Sequence, residues 1–475
     1  MMRHVISKEI LANLLSLRFT LALLMAIVLF AVGGFAYVAR YRQLSEDYWR
    51  QTNENLDKFS RDTAQLYKLA FYRQHLYRKP KPLTLCAEGF ERYLPNLVRS
   101  GVFNTRVPVV SGRGNFMLRR FSDIDWTFIV SIPLSFLALL FTYDSFCGER
   151  EAGTLRLMLS GSLPRHQVLL GKYLGALIAF GLPLLAGLFV NLVIVLSSGA
   201  VDIAPADWLR FSGIFLLSLL YLSAFLLLGM FVSSRVSHSV SSIVVLLLIW
   251  AGVVVLLPSF GSVVAETSVT LTPTARFRQK IFETLRQYER DAEAGKFGKN
   301  AHEIWHEDPN HPDINPPAAA RYCNAQAAAI QQLWDDLYNQ ILAQTYAGRR
   351  FACLSPAAIY QRAAETIAGT GVNRCIDLYR QIRTYQTTLK DYLLAEDADD
   401  PNSLHLLFDF DFCVENWGTF SKKEVDFSTV PKFQERDPAL SQSVHQAAWD
   451  IGALTLFNLL FFAGAFVSFL RYDVR

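Results

Sequence analysis

Six separate stretches of this sequence are long and apolar enough to cross a bilayer, and no other feature narrows the possible folds as far. A hydrocarbon core of about 30 Å takes about 20 apolar residues in a helix. Residues 19–39, 126–143, 173–197, 211–232, 239–257 and 451–470 meet or approach that length. Backbone groups in hydrocarbon must be satisfied inside their own segment, so each stretch is expected to be a helix. Composition agrees, with 52% hydrophobic and 19% charged residues against about 45–50% and about 25% for a soluble domain. A formal net charge of +4 over 475 residues argues against nucleic acid as a partner. Aromatic residues at 13% exclude a disordered chain, and six cysteines are too few for a disulfide-built miniprotein. Residues 19–39 form too long an apolar run for a cleaved signal, and a charged, helix-like segment precedes them.

The basic residues of the short loops set an orientation. With the N-terminus inside, the cytoplasmic segments carry Arg3, Lys8 and Arg18, then Arg150, Arg156, Arg165 and Lys172, then Arg235, Arg471 and Arg475. The short outside loop near Asp202–Asp207 is acidic. The chain therefore reads as an all-α polytopic membrane protein with both termini cytoplasmic. Residues 1–18 are an N-terminal interfacial helix and 144–172 a cytoplasmic connection. Two large extracytoplasmic segments follow from this orientation, 41–125 and 258–450.

The first outside segment opens as a polar helix over about Leu44–Tyr77, a stalk continuing the first span, with Leu56, Phe59, Leu66, Leu69 and Ala70 at helical spacing. Residues 82–125 are irregular, with a strand-like stretch at Arg106–Val110. The second outside segment is mainly helical: Ala275–Ala294, Pro317–Ala347, Ser355–Gly369 (opened by Ser-Pro) and Val372–Ala395. Four such helices are enough for a compact bundle packed on the first outside segment. Cys86, Cys323, Cys353, Cys375 and Cys413 fall outside and Cys147 inside, so at most two intrachain disulfides form there, with unpaired buried thiols an equal alternative.

The connection between spans two and three reads Tyr143-Asp144-Ser145-Phe146-Cys147-Gly148-Glu149-Arg150-Glu151-Ala152-Gly153-Thr154-Leu155-Arg156, then Leu163-Pro164-Arg165-His166 and Leu170-Gly171-Lys172-Tyr173. A short amphipathic helix with fixed charges at a membrane surface is a docking element for a soluble partner. Glu149, Arg150 and Glu151 supply the charge; Leu155, Leu157, Met158 and Leu159 supply the apolar face. Gly153 permits a tight turn, Thr154 is a candidate N-cap, and Pro164 ends the element before Arg165 and Lys172 anchor the third span. The plain alternative is an interfacial helix that only seats the loop.

This run closely resembles the permease subunits of the ABC-2 family of ATP-driven exporters, whose hallmark is Glu-Arg/Lys-Glu-x-Gly-Thr-Leu followed by Pro and a Gly-Lys before the next span. Ser7-Lys8-Glu9-Ile10 and Leu15–Phe19 are similar to that family's interfacial helix. Lys79-Pro80-Lys81-Pro82-Leu83, Glu88-Gly89 and Leu354-Ser355-Pro356 resemble outside landmarks of the large-loop permeases grouped with multi-copper-enzyme maturation and gliding-type transporters. The resemblance implies a coupling helix at Glu149, Arg150, Glu151, Gly153, Thr154, Leu155, Pro164 and Arg165, served by interfacial Lys8, Glu9 and Arg18. It implies a multi-pass subunit of a bacterial cytoplasmic (inner) membrane, in contact with membrane lipid. It also implies two copies of a separate ABC ATPase and a second permease copy or paralogue.

The chain holds no Gly-x4-Gly-Lys-Ser/Thr loop to cradle phosphates. No catalytic residue, metal or cofactor is therefore assigned to it; ATP and Mg belong to the partner. The outside segments are far larger than a simple pore needs, which raises an extracytoplasmic partner moved mechanically as an alternative to substrate export. From another class, His302-Glu303-Ile304-Trp305-His306 matches the zinc-protease pattern and would make a membrane-anchored metallohydrolase. Against it, Asp308-Pro309 follows almost at once and no clear third ligand helix follows. Asn191 and Asn458 are intramembrane polar residues, read as hydrogen-bonding glue between helices. Pro133 and Pro183 are expected to kink their spans.

Overall fold

The computed structural model describes residues 2–89, 97–106, 124–155, 164–302, 315–410 and 417–471. Its elements follow the hydropathy. Helix α1 (Met2–Leu14) precedes α2 (Leu17–Asp62), which is capped by Ser16, whose hydroxyl accepts from the Phe19 N–H at 3.2 Å. Then come α3 (Leu66–Phe71) and strands β1 (Gln74–Tyr77), β2 (Leu97–Ser100) and β3 (Thr105–Arg106). The second span is α4 (Trp126–Ile129), a π-helical turn (Val130–Leu134) and α5 (Ser135–Thr142). The short α6 (Cys147–Glu151) leads to α7 (Arg165–Ser197) and α8 (Pro205–Arg235). The fifth span is α9 (Ser239–Trp250), a second π-turn (Ala251–Leu256) and α10 (Leu257–Ser268). After it come α11 (Thr274–Glu293), α12 (Pro316–Ala352), α13 (Pro356–Ala368), α14 (Val372–Ala398) and α15 (Leu440–Leu470). Six of these helical stretches have the length and apolarity to cross a membrane.

Without a hydrophobic drive between helices in lipid, close backbone approach and polar contacts hold spans together. The first and third spans meet along Ala22, Ala26, Gly34 and Gly187, with Gly187 against the Phe30 ring. Asn191 cements that joint: its Nδ2 donates to the Phe30 carbonyl at 2.6 Å and its Oδ1 accepts from Trp126 Nε1 at 3.0 Å. Asn458 does the same elsewhere, in a chain running from the Tyr173 hydroxyl through Ser223 to Asn458, which also donates to the Leu220 carbonyl. Both amides bond helix to helix. Replacing Asn191 by Leu strands the Trp126 N–H and should cost about 1 kcal/mol, read as a lower unfolding midpoint in detergent; an unchanged midpoint would contradict this role.

The stalk departs from its expected length. The helix of the first span does run on beyond the apolar stretch, but it stops at Asp62 rather than near Tyr77, and residues 74–77 are a strand. Phe59 ends the run by turning inward, buried against Tyr72 and Phe427, while the Thr63 hydroxyl and N–H both close back on the Phe59 carbonyl. β1, β2 and β3 form an antiparallel sheet in that order, with Gln74 opposite Ser100 and Arg99 opposite Arg106; residues 107–110 of the expected strand lie outside the described residues. The sheet, α3 and α14 share one core that includes Leu66, Leu69, Leu76, Val98, Ile382, Leu389 and Phe420. Gln331 of α12 accepts from the Thr105 N–H at 2.7 Å, and Gln386 of α14 donates to the Val102 carbonyl at 3.0 Å. The two large connecting segments are thereby one domain. Cys86, Cys147, Cys323, Cys353 and Cys375 are free thiols, and burial pushes that of Cys323 up to about 12; Cys413 lies outside the described residues.

The main correction concerns α13, expected as part of an outer bundle. It sits instead among the spans. Nearly all its residues are buried. Tyr360 stacks on Tyr221 of α8 with ring centroids 4.6 Å apart and shares a 2.8 Å hydrogen bond with Ser218. Arg362 donates through Nε to both oxygens of Asp450 of α15, each at 2.9 Å, and Arg349 pairs with Glu365 at 3.1 Å. An alanine-rich helix with one Arg and one Glu, each neutralised, can enter such a place. Its C-terminus ends at Gly369 in the left-handed conformation (φ +71), the usual glycine stop. Two cationic side chains then satisfy and charge-complement that end: Arg210 donates to the Ile367 carbonyl at 3.0 Å and Lys81 to that of Gly369 at 3.1 Å. Arg210 also donates to the Pro438 carbonyl at 2.6 Å. Burial, with the Arg374 guanidinium nearby, lowers the Lys81 ammonium below its usual pKa.

Candidate functional site

The elbow between the second and third spans is built on an apolar floor. Phe146 and Leu155, both buried, join Val168, Leu169, Met230, Ala465 and Phe469, with the Phe146 and Phe469 rings 4.7 Å apart. The start of α6 has no side-chain cap of its own. Ser233 of α8 substitutes: its hydroxyl accepts from the N–H groups of Phe146 and Cys147 at 3.0 and 3.2 Å. Gly153 turns the chain at φ +74, where a side chain would be strained, and nothing crowds it. The Thr154 hydroxyl donates to the Glu149 carbonyl at 3.3 Å. Arg156, Leu157, Met158 and Leu159 lie outside the described residues.

The charges radiate from this floor to the ends of the spans. Lys172 of α7, with 4% of its side chain exposed, lies 2.7 Å from Glu149 Oε1 and 3.0 Å from Glu9 Oε1, so one ammonium joins the elbow, α1 and α7. Helix α1 reaches it by crossing α7 over Gly171 and Gly175: a Cβ there would stand 2.7 Å from Val5 Cγ1 and 2.6 Å from Glu9 Cβ. Arg18 at the start of α2 grips Asp144 through two hydrogen bonds of 2.9 and 2.6 Å and lies 4.7 Å over the Tyr143 ring. Such bidentate pairs fix orientation as well as charge. Glu151 accepts from the N–H and hydroxyl of Ser239, at 3.1 and 2.6 Å, which places a carboxylate at the positive N-terminus of α9. Arg165, just past Pro164, donates to the carbonyls of Phe469 and Leu470 at the negative C-terminus of α15.

The anticipated residues thus have distinct placements. Glu9, Arg18, Glu149, Glu151, Leu155 and Arg165 enter one assembly. Pro164 is the N-cap of α7, Arg150 reaches Ser237 at 3.5 Å, and Lys8 points away, exposed and without an ion pair among the described residues. Sequence reasoning makes Lys172 a membrane anchor and passes over Asp144, Ser233 and Ser239. The signals available are a lysine flanked by Gly171 and Gly175 and an aspartate directly after an apolar run. Two features stand out on the elbow. Glu151, Ala152, Gly153 and Thr154 form an exposed ridge, and Glu149 Oε2 is buried with no hydrogen-bond partner among the described residues. For the zinc alternative, Glu303 and His306 lie outside the described residues, and among the described residues no three His, Cys, Asp or Glu gather to hold a metal.

The family model described as "ABC-2 family transporter protein" matches residues 4–474. Among curated proteins the chain is 36% identical over 117 residues to a probable ABC transporter permease protein NosY of Pseudomonas aeruginosa, covering 24% of this chain and 42% of that one. It is 33% identical over 123 residues to the protein of the same description from Stutzerimonas stutzeri, covering 26% and 44% respectively. The chain thus spans less than half the length of these curated relatives.

Proposed function

Because the chain belongs to the ABC-2 family of transporter proteins, we propose that this permease subunit couples ATP hydrolysis by separate ATPase chains to export, or to movement of its large domain, across a bacterial inner membrane. The elbow is its coupling helix and faces the cytoplasm with both termini. Two ATPases, carrying ATP and Mg, serve two permeases, a second copy of this chain or a paralogue. The observation that carries the reading is the wiring of the whole elbow connection, which carries the exposed ridge Glu151–Thr154, to α1 and to the other five spans. The elbow connection reaches α1 and α7 through Glu149 and Lys172, α2 through Asp144 and Arg18, α8 through the Phe146 N–H on Ser233, α9 through Glu151 on Ser239, and α15 through Arg165. When ATP closes the ATPases, displacement of the ridge moves the ends of the spans together, because packed interfaces shift between discrete arrangements rather than deform.

A second reading within the family is transmission of force to an extracytoplasmic partner. It is favoured by the union of the two connecting segments into one domain, and by the bond from Arg210 of α8 to the Pro438 carbonyl of the second of them. For either reading, reversing charge in Glu149→Lys/Glu151→Lys should leave insertion intact but lower ATPase co-purification and stimulation at least about tenfold, the effect of losing about 1.4 kcal/mol of binding. The variant Ala152→Trp separates docking from folding, since Ala152 is exposed and outside the charge joint. It should weaken ATPase binding without lowering the unfolding midpoint. Wild-type ATPase binding and transport in both variants would defeat the assignment.

A further inference from the structure

Two spans carry π-helical turns, Val130–Leu134 and Ala251–Leu256, and both lie beside the buried helix α13. The two spans are linked next to these turns by a 2.9 Å hydrogen bond from Trp250 Nε1 to the Ser135 hydroxyl. Such turns hold one residue more than the α-helix and recur at functional sites. In the fifth span the extra residue acts together with a proline. Pro258 has no N–H, so the carbonyl that would receive its bond is orphaned. In the π register, where Leu257 bonds to the Gly252 carbonyl, the orphan is Val253; in the α register Leu257 would bond to Val253 and the orphan would be Val254. The observed orphan is met from outside the helix. The Ser355 hydroxyl, which also N-caps α13, donates to the Val253 carbonyl at 2.7 Å. Seating of α13 and the π register of the fifth span therefore support each other.

We propose that the fifth span is a register switch latched by Ser355. When α13 shifts, the Val253 carbonyl loses its donor, the turn relaxes to α, and everything beyond it rotates by about 100°, the arc of one residue. The first element to turn is α10, which packs along α12 of the outer domain. The glutamine contacts of Gln340 to Thr272 (2.9 and 3.1 Å) and of Gln344 to the Val269 carbonyl (3.0 Å) bind the same junction. Rotation of the fifth span thus becomes movement of the domain. This inference rests on the ATP-coupled reading above and specifies how displacement crosses the membrane.

The test uses the full chain reconstituted with its ATPase and spectroscopic labels at the exposed positions Trp49, on the stalk, and Phe282, on α11. The expected result is a label separation that differs between nucleotide-free and ATP-trapped complexes. Deleting Gly252, beside which a Cβ would meet nothing, removes the surplus residue while the flanks keep their places. It should abolish the nucleotide-dependent change while ATPase binding persists. Ser355→Ala, which keeps every residue, should move the nucleotide-free distribution toward the ATP-trapped one. A change that survives the Gly252 deletion, or a nucleotide-free distribution untouched by Ser355→Ala, overturns the switch. Stimulated ATPase with no separation change in the wild-type complex overturns the switch alone; no ATPase binding by the wild type overturns the functional reading and the switch with it.

Discussion

Replacing Lys172 by Met should release α1 from the elbow and lower ATPase stimulation at least about tenfold, about a 1.4 kcal/mol effect. The Nζ is the common partner of Glu9 and Glu149. Removing it leaves two carboxylates facing each other in a site that excludes most water. Breaking a buried pair by deleting one partner typically costs about 3–5 kcal/mol, because the remaining charge is uncompensated. The exposure of the carboxylates, 17% and 22% of their side chains, puts the expected loss toward the lower end. Hydrogen exchange of residues 2–14 reads the release directly: their protection should fall while that of the spans remains. The triple variant Lys172→Met/Glu9→Gln/Glu149→Gln removes the repulsion and should restore part of the protection but not the coupling. Unaltered protection and stimulation in Lys172→Met would show that the ammonium is incidental to the joint.

The second large effect is expected at the seat of α13. Asp450→Ala leaves the Arg362 guanidinium among α12, α13 and α15, where it otherwise donates to both carboxylate oxygens. With 22% and 8% of the two side chains exposed, the pair is desolvated enough for a loss of about 3–5 kcal/mol. Arg362→Met/Asp450→Leu should recover most of that stability, since an apolar pair of similar volume avoids the desolvation cost. Unfolding of the full chain in detergent measures both. A single-variant loss under about 1 kcal/mol, the range of an exposed pair, or a double variant no more stable than the singles, would show that this pair does not hold α13 in place.

These two sites also mark where sequence reading succeeds and where it stops. The spans are legible because burial in hydrocarbon demands an unbroken apolar run, and among the helices after the fifth span α13 is legible from its Ser-Pro start at Ser355, whereas the Asn315 cap of α12 emerges only in the structure. The position of α13 is not legible. Its neutralising partners, Asp450 and Arg349, and its terminal partners, Lys81 and Arg210, come from four separate parts of the chain, so local sequence makes it look like any alanine-rich surface helix. The π-turns leave only Pro133 and Pro258 as traces, and proline more often marks a simple kink. At the elbow, Glu149 and Glu151 stand out by their pattern, whereas Lys172 and Asp144 gain their meaning only when α1 folds back over Gly171 and Gly175 and the first turn of α2 brings Arg18 to Asp144.

The central claim is that the exposed ridge at Glu151–Thr154 receives force from an ATP-hydrolysing chain. A photo-crosslinking amino acid at Ala152, in cells that carry the intact complex, tests it most directly. The expected product is an adduct with a nucleotide-binding chain, whose yield changes when ATP is trapped. An adduct with no other chain, or labelling of position 152 by a reagent confined to the extracytoplasmic side, would contradict it.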